Sequence, residues 1–217
     1  MTLTDIAEYL RKKALDIPSQ FVGGAWSRRL REIRERISKG DFDYLSWDIV
    51  KKTMLVTSTE EVMRRQLSLY GDQYFNNVYE FGAGLLTRRS WVRHMNYTVY
   101  DIPEMTLLQR YISQTVNITS DLSTFLSFLR DNSFGPTAFF ATWSLSECPI
   151  SIRDIVLETV AECCDTIFLA YQPVFDFIDN EAYFQNFADK HEEFDWRTSP
   201  ASPLDGFYLV GRRDRWS

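Results

Sequence analysis

From residue 77 onward, short β-prone runs alternate with stretches of helical periodicity, and this alternation limits the available folds more than any other feature of the chain. The runs cover residues 78–81, 97–100, 116–118, 137–143, 166–171 and 207–210, and the helical stretches cover 85–94, 103–113, 121–131, 150–164 and 177–190. Such a pattern predicts βαβ units, and therefore an α/β architecture: a Rossmann-like, mostly parallel sheet with helices on both faces. The last run follows the Pro- and Ser-rich segment TSPASPLDG with no helix between, so it is expected to enter the sheet antiparallel.

The first 76 residues have a different rhythm. Leu3, Ile6, Ala7 and Leu10 repeat at helical spacing up to the break at Pro18, and Trp26, Leu30, Ile33 and Ile37 share one face of a second helix. Ser58 with Glu61 forms a capping-box pattern, and Gly71 is a suitable stop. The expected organisation is an N-terminal helical cap over residues 1–76 and an α/β core over 77–217.

Charge follows the same division. Residues 1–76 carry 13 basic and 11 acidic groups, whereas 77–217 carry 11 and 19, within a formal net charge of −6. An acidic body lacks the positive surface that displaces counterions from phosphates, so a nucleic-acid partner is not expected. With 45% hydrophobic and 15% aromatic residues the chain has ample material for one core, which excludes disorder. Cys148, Cys163 and Cys164 match no zinc spacing and read as thiols in a reducing compartment. No apolar run approaches the roughly 18 residues of a membrane span, and MTLTDIAEYLRKK lacks a signal-peptide core, so a cytoplasmic protein without a membrane partner is expected.

The segment Val78-Tyr79-Glu80-Phe81-Gly82-Ala83-Gly84 is a strand running into a glycine turn. Gly82 and Gly84 allow close approach of a ligand at the carboxyl end of a parallel strand, where such sheets bind their ligands. A dinucleotide fingerprint would have glycine at position 87, but Thr87 stands there, which disfavours a pyrophosphate cradle. Glu80 instead suits a cationic ligand such as S-adenosylmethionine (SAM), whose sulfonium and ammonium both favour an electronegative pocket. Asp101 ends the second run, 21 residues after Glu80, where a carboxylate can accept from ribose hydroxyls, with Ile102 beside it. Asp121, followed by Leu122, occupies the same place after the third run and could accept from an adenine amino group. Taken singly, each of these is an ordinary turn or helix cap. As a set they favour SAM over a nicotinamide or other nucleotide.

At these residues the chain resembles the class I SAM-dependent methyltransferases, through VYEFGAG and YTVYDIP. Within that class it is most similar to the sugar O-methyltransferases, through VYDIPEMTLLQRYI, ATWSLSECP and FYLVGRR, over about residues 70–217. The resemblance implies cofactor roles for Glu80, Gly82, Gly84, Asp101 and Asp121, and places Trp143 and Ser144 at the boundary between cofactor and substrate. Leu85-Leu86 departs from the family pattern, in which an aromatic and a glycine are common.

The reacting centre is expected at the end of the fourth run, Trp143-Ser144-Leu145-Ser146-Glu147-Cys148-Pro149. Glu147 would orient or deprotonate a hydroxyl, unless it only caps the following helix, and Trp143 would stack on an adenine or a sugar. Methyl transfer is an in-line displacement that positioning alone can largely accelerate, so a dedicated base is optional. His191 is the better base candidate of the two histidines; His94 reads as a surface residue between the first helix and the second strand. Tyr70, Tyr74, Ser144 and Trp196 are the candidate substrate residues, and no metal site is expected. The basic helix over 28–39 reads either as a solvated face or as a guide for an anionic substrate. The expected function is methyl transfer to a hydroxyl of a small molecule, with an anionic or nucleotide-linked sugar in view and homodimerisation left open. The alternatives are transfer to nitrogen or a phenolic oxygen, and a non-catalytic binding module with the same fold.

Overall fold

The computed structural model describes residues 35, 64–69, 71–84, 86–131, 134–202 and 205–213. The leading helices read from the sequence, the basic one included, therefore lie outside the described residues, apart from Glu35 and the helical segment 64–69. Strand β1 (Tyr74–Phe81) is followed by a 3-10 turn at Thr87–Ser90, strand β2 (Arg93–Tyr100), helix α1 (Pro103–Ile112), strand β3 (Asn117–Thr119) and helix α2 (Leu122–Asp131). Strand β4 (Thr137–Thr142), a 3-10 turn at Leu145–Glu147, helix α3 (Ile150–Cys163) and strand β5 (Thr166–Tyr171) come next. The chain then forms a small hairpin, β6 (Val174–Phe175) and β7 (Ile178–Asp179), helix α4 (Asn180–Lys190), and strands β8 (Asp195–Pro200) and β9 (Phe207–Arg212).

Seven strands form one sheet in the order β3-β2-β1-β4-β5-β9-β8. The pairs among β1 to β5 are parallel, and β9 runs antiparallel to both β5 and β8. Alternation along the central strands sends residues to two cores. Tyr79, Phe81, Phe139, Ala141, Ile167 and Leu169 pack under side chains of α2, α3 and α4. Val78, Val99, Ala138, Phe140, Phe168 and Ala170 face the other way, toward Leu67, Leu69, Leu86 and Val92. Central strands buried on both faces need apolar residues at nearly every position, which is why these runs stand out in the sequence.

Three expectations are corrected. The helix read over 85–94 is absent: Leu86 adopts the left-handed φ of 59°, one 3-10 turn follows, and β2 already begins at Arg93. His94 is consequently a half-buried residue inside β2, with its Nδ1 2.7 Å from the Val92 carbonyl, not a surface residue between elements. The helix read from 177 starts at Asn180, because Asp176 and Phe177 take positive φ at the hairpin tip and Asp179 caps the helix by accepting from the Ala182 N–H at 2.9 Å. Strand β8 was not expected. Its sequence, DWRTSP, carries no alternating apolar face because it is the solvated edge strand. The boundary between residues 76 and 77 falls inside β1.

Candidate functional site

The glycine turn after β1 is clipped onto the end of β2. Gly82 N–H donates to the Tyr100 carbonyl at 2.7 Å, and Gly84 N–H donates to Asp101 Oδ2 at 3.0 Å. Gly82 and Gly84 have φ of 71° and 54°, the left-handed region in which a side chain is costly. At Gly82 there is no room for one: a Cβ would lie 2.2 Å from Ser144 Cβ, whereas at Gly84 it would meet none of the described residues within 4 Å.

Asp101 is buried and held on both oxygens. Oδ1 accepts from Ile102 N–H at 2.8 Å, and Oδ2 accepts from Gly84 N–H and, at 2.7 Å, from Gln109 Nε2. Burial pushes its carboxyl up to about 7; the hydrogen bonds from Ile102, Gln109 and Gly84 pull the other way, and the Glu80 charge adds to the rise. Ile102 is buried at the start of α1 within the core under the helices.

Glu80 points to the opposite sheet face from its neighbours Tyr79 and Phe81, where Arg88 forms an ion pair with it. The Tyr97 hydroxyl donates to Glu80 Oε2 at 2.5 Å, and Arg88 also donates to Gln66 Oε1 at 2.8 Å. The guanidinium lies 5.2 Å from the Phe140 ring centroid. Burial raises the Glu80 carboxyl, opposed by Arg88 and Tyr97. Glu80 thus sits where the sequence placed it, but its charge is paired with Arg88, a partner the sequence did not indicate.

The β4 loop stands on the other side of the glycine turn. Ser144 is buried and donates to the Phe81 carbonyl, so its hydroxyl locks the turn. Trp143 has φ of 66°, and its ring lies over Gly206, where a Cβ would come within 2.7 Å of it. Strain of this kind in a non-glycine residue persists only where surrounding contacts enforce it. Arg153 of α3, fully buried, supplies such contacts: its guanidinium donates to the carbonyls of Ser146 and Cys148 and to Asn180 Oδ1. Asn180 donates in turn to the Gln172 carbonyl at 2.9 Å, and Gln172 Oε1 accepts from Ser146 Oγ at 3.0 Å. Glu147, half-buried, is the carboxylate of this loop.

No family model matches the chain, and no curated protein matches it. Solved structures do. The PH0226 protein from Pyrococcus horikoshii OT3 superposes with a TM-score of 0.55 at 11% identity, over 78% of this chain and 93% of that one. Magnesium protoporphyrin IX methyltransferase (ChlM) from Synechocystis PCC 6803 with bound SAM gives 0.53 at 14% identity, over 98% and 97% of the two chains. The DhpI-SAM-HEP complex gives 0.52 at 12% identity, over 92% and 100%. The fold is that of the SAM-dependent methyltransferases.

Within this methyltransferase fold, the strand registers show which expected residues share an edge of the sheet. Glu80, Gly82, Gly84, Asp101, Ile102, Trp143, Ser144 and Glu147 belong to the carboxyl ends of β1, β2 and β4 or the turns that follow them. His191 and Trp196 do not. Trp196 pairs with Gly211, which pairs with Ile167 near the start of β5, so both residues lie at the opposite edge. There the Trp196 indole donates to the His191 carbonyl at 2.8 Å and packs on Phe187 and Phe194. Tyr74 pairs with Arg93 at the start of β1, on that same far edge. These three placements correct the base and substrate roles expected for them, and Tyr70 lies outside the described residues.

Asp121 is exposed and caps α2, with Oδ1 accepting from Thr124 N–H at 2.7 Å and Ser123 Oγ at 2.6 Å, bonds that lower its carboxyl below the usual range. Leu122 packs half-buried against the core under the helices. Gln109, Arg88 and Arg153 were missed by sequence reasoning. None of the three left a trace: Gln109 reads as one more polar residue of a helix, and its reach back to Asp101, which precedes that helix, shows only in the packed structure. Among the described residues, no group of His, Cys, Asp and Glu side chains could hold a metal, and no helix is long and apolar enough to cross a membrane.

Proposed function

We propose that this chain is a SAM-dependent methyltransferase. The observation that carries the reading is the Gly84–Asp101 contact: a glycine turn after the first strand of a β3-β2-β1-β4-β5 parallel array, bonded to a buried carboxylate at the end of the next strand. Supporting it, two structures with this fold, ChlM and DhpI, contain SAM.

The residues fit the cofactor at its nucleoside end. Asp101 provides an acceptor for a ribose hydroxyl, and the open space beside Gly84 admits a ligand close to backbone. At the methionine end, Glu80 supplies shape and a satisfied network instead of free charge. The cofactor would supply an electrophilic methyl on a sulfonium. Glu147 would orient the acceptor and take the proton from its hydroxyl, while the Arg153 contacts keep the loop that carries it in place. For the acceptor we favour a hydroxyl of a small, sugar-containing molecule. That choice is supported by the sequence resemblance in DIPEMTLLQRYI and ATWSLSECP.

Calorimetric titration with S-adenosylhomocysteine tests the reading. Saturable binding with a raised melting temperature is expected, since a ligand that binds only the folded state stabilises it by mass action. No heat and no thermal shift at millimolar ligand would overturn it, and binding without turnover on sugar hydroxyls would transfer the site to the non-catalytic alternative.

A further inference from the structure

Gln109 of α1 is wholly buried, and its amide is committed on one side only. Nε2 donates to Asp101 Oδ2 at 2.7 Å and to the Gly84 carbonyl at 2.8 Å, while Oε1 has no hydrogen-bond partner among the described residues. The orientation of the amide is fixed by chemistry. Turning it over would set Oε1 against a carboxylate and a carbonyl, with no donor for either. A buried acceptor left alone is costly and calls for an explanation in a folded protein.

Counting acceptor sites on Asp101 supplies one. A carboxylate has about four lone-pair sites. Three are taken here, two on Oδ2 by the Gly84 N–H and the Gln109 amide and one on Oδ1 by the Ile102 N–H, so one is left, on Oδ1. A vicinal diol brings two donors. Gln109 brings an orphaned acceptor to the same cluster, since its amide is joined to Asp101 Oδ2 and to the Gly84 carbonyl, and a Cβ at Gly84 would meet none of the described residues within 4 Å.

We propose that Gln109 is the second acceptor of a vicinal-diol site, with its Oε1 receiving one ribose hydroxyl while Asp101 receives the other. This rests on the SAM-site reading above and adds to it a binding residue and a division of labour between two side chains. In the absence of ligand the same amide pins Gly84 and Oε1 is closed off from solvent, so Gln109 positions the turn before binding and meets the hydroxyl only once the Gly84 turn has shifted to admit it.

The test compares S-adenosylhomocysteine with its 2′-deoxy and 3′-deoxy analogues on the wild-type protein and on Gln109→Met, by calorimetry. On the wild type, each missing hydroxyl weakens binding about tenfold or more, because each leaves a buried acceptor unpaired. In Gln109→Met the parent ligand weakens by about the same factor, one deoxy analogue loses nothing further, and the other keeps its full penalty. Equal penalties for both analogues in wild type and variant would overturn the proposal, since a merely structural glutamine would not couple to one hydroxyl. If Gln109→Met does not fold, Asp101→Asn decides: one deoxy penalty surviving in it sustains the proposal, because the other hydroxyl is still received by Gln109, and loss of both penalties together overturns it. Failure of the wild type to bind S-adenosylhomocysteine at all is a different result, which removes the SAM reading itself.

Discussion

Arg88 and Glu80, eight residues apart, form an ion pair from which water is almost wholly excluded: their side chains are 2% and 3% exposed. The pair is embedded further by Tyr97 and Gln66, so it joins β1, β2, the short turn between them and the helical segment 64–69. A buried pair of this kind adds little net stability as a unit but is costly to break from one side.

Arg88→Met should therefore destabilise the protein by about 3–5 kcal/mol, because it strands a carboxylate away from water. The double variant Glu80→Gln/Arg88→Met should recover much of that loss. Urea denaturation of the three proteins measures both effects, and a single-variant loss below about 1 kcal/mol, the range of exposed pairs, would show that the pair is solvated.

The two glycines of the turn should respond unequally to alanine. Gly84→Ala meets only the backbone cost of a left-handed residue, about 1–2 kcal/mol. Gly82→Ala bears that cost and also drives its Cβ into Ser144, so its loss should be larger, and Ser144→Gly should relieve part of it. Equal losses in denaturant melts would mean that Ser144 does not pack against the turn.

Asp101 should make the stability of the ligand-free protein depend on pH. Its carboxyl is raised from 3.8 to about 7 by burial, so between these values the folded state holds a proton that the unfolded state has released. Stability from this group is complete below about pH 4 and declines as pH rises toward 7. Asp101→Asn should flatten that decline. Thermal melts of both proteins across the window provide the check: parallel curves would show that Asp101 titrates normally.

The two sides of the site differ in how far sequence alone revealed them. The glycine turn and Asp101 were legible because backbone geometry demands glycine and because strand ends in a parallel sheet converge. Glu80 was legible as a residue, but its partner was not: Arg88 lies in a segment with helical periodicity that Leu86 breaks with a left-handed φ. Arg153 reads in the sequence as one more helix charge. Only the packed structure shows that it faces the carbonyls of the β4 loop. His191 and Trp196 looked suitable by residue type, and the unexpected edge strand β8 placed them at the wrong end of the sheet.

The short link between β1 and β2 also bears on how the chain finds its fold. Partners in the β1–β2 register are 19 residues apart, as in Tyr74 with Arg93, whereas those between β1 and β4 are 60 apart, as in Asn77 with Thr137. Closing the shorter loop costs about 1 kcal/mol less in chain entropy, and local pairings lead in folding. The β1–β2 pair is thus expected to form before the β1–β4 pair, and the Gly82–Tyr100 and Gly84–Asp101 bonds form where its two strands end. The glycine-turn side of the corner that would receive the ligand then becomes native before β4 joins the sheet, and mutations there should slow folding as well as weaken binding.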